Sequence, residues 1–148
     1  MMRKESYTKF LSIQNNMLTK EAIMDYAQEH FKMLGFNLNI DDNSSDLVFE
    51  KDGDIIKVVA LAATSNSESA CIRGKGFNKQ QVKINLGNAL YEVSRQKTTI
   101  KNQNEKYVFV IPETKVYARI IKEIRGGIKE LGIVVLVISD VGLVEEFH

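Results

Sequence analysis

The sequence predicts an α/β domain, a central mixed sheet of about five strands flanked by helices in the order α-β-β-β-α-β-α-β. Three observations predict it. Apolar residues switch repeatedly between helical spacing and alternation. Asp52-Gly53 joins two extended runs with hairpin chemistry. The apolar runs KYVFVIP and GIVVLVI each follow a helical stretch, as crossover strands do.

After a polar lead over residues 1–18, Thr19 is placed to cap a helix whose first turn carries Glu21. Ile23, Ala27, Phe31 and Leu34 recur at helical spacing, and Gly35 suits the left-handed residue that ends it. Phe36, Leu38 and Ile40 then alternate with Asn37 and Asn39, which reads as a half-buried strand. DDNSS is turn chemistry, DLVFEK resumes an extended run, and IIKVVALAA reads as a strand covered on both faces in the middle of the sheet. TSNSESACIRGKGFN reads as a long surface loop. A second helix, capped by Asn78, carries Val82, Leu86, Ala89, Leu90 and Val93, and the polar linker KTTIKNQNE follows. A third carries Val116, Ile120, Ile124, Ile128 and Leu131, with a kink expected at Gly126-Gly127. After Asp140-Val141-Gly142, GLVEEF offers a last edge strand.

A chain of 148 residues is the size of one domain, here residues 19–148, and 44% hydrophobic with 26% charged residues excludes a disordered segment. The net charge of +1 excludes a whole-surface polyanion binder and leaves room for a local basic patch. The single cysteine, Cys71, excludes an internal disulfide and a cysteine-rich zinc site, and reads as a loop thiol. His30 and His148 supply almost no transition-metal ligands. The start MMRKESYTKFLSIQ has no apolar core of a signal peptide, and GIVVLVI is too short to cross a bilayer, so a cytoplasmic location off the membrane is expected.

A helix ending LGF, Asp46 opening DLVFEKDG, a buried third strand and then RGKGFNKQQVKINLGNALYEV together resemble the PD-(D/E)XK, or restriction-endonuclease-like, nuclease superfamily, over about Thr19 to Phe147. In active members an Asp at the start of the second strand and a Glu-x-Lys on the third form the site. The carboxylates hold a divalent cation that polarises the phosphate and activates water, and the lysine stabilises developing charge. The resemblance puts Asp46 at the first position and Ala60 and Ala62 at the Glu-x-Lys positions, where a methyl group can do neither job. Lys57 lies an odd number of residues from both alanines and is expected to project from the opposite face. Asp46 alone would hold Mg²⁺ poorly, because that ion needs several oxygen ligands. Gln81, Lys83 and Glu68 are the candidates for relocated groups, against a plain reading as solvated residues.

Arg73, Lys75, Lys79 and Lys83 cluster around the glycine-bearing loop and the following helix start. Gly74 and Gly76 would admit a phosphate to the backbone, giving salt-dependent contact without base selectivity. A soluble surface loop is the competing reading, and Phe77 is equally suited to anchoring that loop on the core. The expected function is a catalytically inactive nuclease-like domain that acts by binding, to nucleic acid through this patch or to a protein. The expectation includes no cofactor, with Mg²⁺ required only if a nuclease with a relocated site is present. The remaining alternative is a structural or oligomer-forming module without nucleic-acid affinity.

Overall fold

Thr19 caps the first helix, its hydroxyl accepting from the Ala22 amide at 3.2 Å. In the computed structural model, which describes residues 18–62, 78–99 and 104–147, that helix is α1 (Lys20–Met33). It buries Ile23, Ala27 and Phe31, and Gly35 (φ +90°) follows its end. β1 (Asn37–Leu38) is much shorter than the alternation over 36–40 suggests. The Asn39 side chain accepts from the Asp41 amide at 3.1 Å, turning the chain before Ile40 can pair and leaving Ile40 79% exposed.

β2 (Leu47–Lys51) and β3 (Asp54–Ala60) form the expected hairpin, with Asp52 and Gly53 at φ +53° and +88°. α2 (Lys79–Thr99) opens on a reciprocal cap: Gln81 N donates to Asn78 Oδ1 and Asn78 N to Gln81 Oε1. It runs through Lys97-Thr98-Thr99, which composition assigns to a linker; the Thr98 and Thr99 hydroxyls bond back to Ser94 and Arg95 carbonyls. β4 (Glu105–Pro112) is buried from Tyr107 to Pro112. The third helix is divided into α3 (Lys115–Glu123) and α4 (Arg125–Glu130). The break falls at Ile124, just before the glycine pair, which itself adopts helical turns. β5 (Ile133–Ile138) and β6 (Val144–Glu146) complete the chain.

The strands make one six-stranded mixed sheet in sequential order, β1 to β6, one strand more than expected. The β1–β2, β2–β3 and β5–β6 pairs are antiparallel, while β3–β4 and β4–β5 are parallel. The parallel pairs follow helical crossovers, so α1 covers one face and α2, α3 and α4 the other. Phe31, Phe49, Val58, Ala60 and Val110 pack on the α1 side. Leu61, Leu86, Val93, Phe109, Tyr117 and Ile121 pack on the other. Phe49 and Phe109 are wholly buried, each worth roughly 1.5–3 kcal/mol of transfer free energy. Among the described residues no helix is long and apolar enough to cross a membrane.

Candidate functional site

Alternation along β3 decides what the two faces receive. Ile56, Val58 and Ala60 belong to the α1-side core, while Val59 packs against the opposite core and Leu61 lies within it. Lys57 shares the face of Val59 and Leu61, opposite Ala60 as its odd spacing requires.

Beyond the end of β3, the segment 43–46 and α2 enclose a cavity of about 650 Å³. Lys20, Asn43, Ser44, Ser45 and Asp46 form one wall, and Asn85, Asn88, Glu92 and Gln96 of α2 the other. Val59 to Ala62, with Ala89 and Val93, supply an apolar floor. The four α2 residues recur along one side of the helix, next to its buried stripe of Val82, Leu86, Ala89 and Val93.

Asp46 has its oxygens engaged by the chain. Oδ2 accepts from the Ala60 amide at 2.9 Å, and Oδ1 pairs with Lys20 Nζ at 2.8 Å. The Ala60 backbone therefore sits beside Asp46, while Ala60, 3% exposed, packs in the α1-side core. The side chains turned toward α2 next to the cavity are Val59 of β3 and Leu61 just beyond its end. Ala60 and Ala62 line the same floor, and none of these four apolar side chains offers a ligand to a cation. Among the described residues no group of three or more His, Cys, Asp or Glu side chains is arranged to hold a metal ion.

A buried polar chain lies beneath this wall. Lys57, 2% exposed, donates to Gln96 Oε1 at 2.8 Å and pairs with Glu105 at 3.4 Å. Gln96 Nε2 donates to the Ser44 carbonyl at 2.6 Å, tying segment 43–46 to α2. The Tyr107 hydroxyl donates to Glu105 at 3.3 Å, and burial, with the Glu105 charge and this bond adding, raises its pKa to about 12. The Ser44 amide donates to Asp42 Oδ1 at 2.9 Å, and interaction with Ser44 holds the Asp42 carboxyl below its usual range, against the effect of burial; Lys57 adds to the lowering. At the far end, the buried Tyr117 hydroxyl donates to the Ala62 carbonyl. Burial pushes that hydroxyl up to about 12, opposed by its hydrogen bond with Asn85.

The basic cluster read from sequence is not gathered at the cavity. Arg73 and Lys75, with Glu68, Cys71 and Phe77, lie outside the described residues. Lys79 reaches Glu123 of α3 at 3.9 Å. At about 100° per residue, Lys83 falls on the side of α2 away from Asn85, Asn88 and Glu92. Gln81 is committed to the helix cap, and neither it nor Lys83 lines the cavity. Lys20, Ser44, Asn85, Asn88 and Gln96 escaped the sequence reading. The available signal was Gln96 itself, a polar residue at the next core position of an otherwise apolar stripe.

Comparison with known proteins gives no family assignment: no family model and no curated protein matches the chain.

Proposed function

We propose that this chain is a restriction-endonuclease-like domain that binds nucleic acid without cleaving it. One observation carries the proposal: Asp46 is committed to Lys20 and the Ala60 amide, while the adjoining β3 side chains end in methyl groups. A phosphodiesterase using this site would need at least a second oxygen ligand there and a group to stabilise charge on the phosphate. A helix, a hairpin feeding a central strand and a helix crossing to a parallel strand support the architectural part. The open cavity beside Asp46 supports a retained binding role. Lys83, exposed on the side of α2 away from the cavity, supplies a cation for phosphate contact.

The test measures binding and cleavage on the same samples. Labelled single-stranded DNA and RNA are titrated with protein by fluorescence anisotropy over a salt series, in Mg²⁺ and in Mn²⁺, and then run on denaturing gels. The expected result is binding that weakens with salt, with full-length strand recovered in both metals. Cleavage that disappears in Asp46→Ala would replace the proposal with a metal-dependent nuclease. No binding at low salt would leave a structural module.

A further inference from the structure

We propose that the cavity between segment 43–46 and α2 receives a nucleobase, a flat uncharged ring whose edge carries hydrogen-bond donors and acceptors side by side. This rests on the nucleic-acid-binding reading and names the part of the ligand that enters the site.

The charges at the cavity cancel locally. Lys20 is held on Asp46 at 2.8 Å, and Glu92 is held by Arg95 at 2.8 Å. A bare phosphate or a divalent cation would meet a wall whose countercharges are already paired. What the walls offer instead is neutral: the carboxamides of Asn43, Asn85 and Asn88 and the serines at 44 and 45. A carboxamide presents a donor and an acceptor from one planar group, the combination that matches the edge of a base. Among the described residues the Asn43 and Asn88 side chains make no hydrogen bond within the protein.

The floor suits the ring face as the walls suit its edge. Val59, Leu61, Ala62, Ala89 and Val93 give an apolar surface for a planar group to lie on. A cavity of about 650 Å³ is within the range of small-molecule sites and leaves room for the attached sugar.

The polar chain under the wall is a second, independent observation. Lys57 and Gln96 are 2% and 5% exposed, and their bonds end on the Ser44 carbonyl, in the wall itself. Buried ionic groups are often replaceable by apolar side chains with no loss of stability, so a fold selected for stability alone has little use for this chain. Its effect here is to hold the serine-bearing wall at a fixed separation from the asparagines of α2, as recognition of a rigid planar ligand requires.

The base could belong to an unpaired position of a strand or to a free nucleoside. Three probes separate these sources: a single-stranded oligonucleotide of mixed sequence, an abasic strand of the same length, and the free nucleosides, measured by calorimetry on the full chain and on Asn88→Leu. Asn88 is exposed, so this variant is expected to keep the parent melting temperature. The expected result is that the strand with bases binds about tenfold tighter than the abasic strand, and that Asn88→Leu removes most of that difference while leaving abasic binding unchanged. Equal affinity for both strands, or an Asn88→Leu variant that still discriminates, would overturn the base pocket and leave backbone binding standing. Nucleoside binding without strand binding would sustain the pocket and overturn the nucleic-acid reading. Failure of all three probes would overturn both.

Discussion

The two faces of β3 solve different problems with adjacent residues. On the α1 side, Ile56, Val58 and Ala60 join Phe31 and Phe49 in one hydrophobic cluster. On the α2 side, one step along the same strand, Lys57 is buried with Gln96 and Glu105, and Val59 and Leu61 border a cavity walled by asparagines and serines. The first face does what a sheet must do to fold. The second keeps polar groups where apolar ones would serve stability at least as well, and it does so beside an opening large enough for a ligand. Polar groups at this depth, next to an open cavity, are what separates a candidate binding face from a core face.

Moving a carboxylate by one residue breaks the comparison most strongly. Ala60→Glu forces an unpaired charge into the closed face and is expected to cost about 3–5 kcal/mol in urea unfolding. Val59→Glu places the same group at a half-buried position on the cavity side, and its cost should be clearly smaller. Equal losses would mean that the two faces do not differ as described.

A smaller effect sharpens the account of the polar face. Lys57→Met leaves the Glu105 carboxylate buried without its cation, and about 3 kcal/mol of stability should be lost. Adding Glu105→Gln removes the charge and keeps an acceptor for the Tyr107 hydroxyl, so the double variant should recover most of that loss. If the double variant were no more stable than Lys57→Met, burial of an unpaired carboxylate would not be the cause.

Legibility from sequence followed the same division. The closed face was readable because burial leaves a periodic mark: Ile23, Ala27 and Phe31 at helical spacing, and a β-branched run around Val58. Hairpin and cap were readable because Asp52-Gly53 and Thr19 act through local geometry. β1 was overestimated because alternation records which side chains could be buried, whereas the Asn39 turn decides where pairing stops. The helix break was expected at the glycines and falls at Ile124, whose amide is shared between the Ile120 and Ile121 carbonyls at the end of α3. The site was least legible. Asp46 was singled out by the resemblance, at the opening of DLVFEKDG, but its partners Lys20 and the Ala60 amide lie 26 and 14 residues away in sequence, beyond any local pattern. Val59 and Leu61 were not singled out, because neighbouring apolar residues on a doubly covered strand do not reveal which of them faces which helix.

The central claim is that β3 gives the cavity beside Asp46 no second oxygen ligand. Saturable Mn²⁺ binding, measured by electron paramagnetic resonance on the parent and on Val59→Glu, tests it most directly. The account predicts no saturable site in the parent at millimolar Mn²⁺ and the gain of one in Val59→Glu. A parent site that saturates and is lost in Asp46→Asn would contradict it.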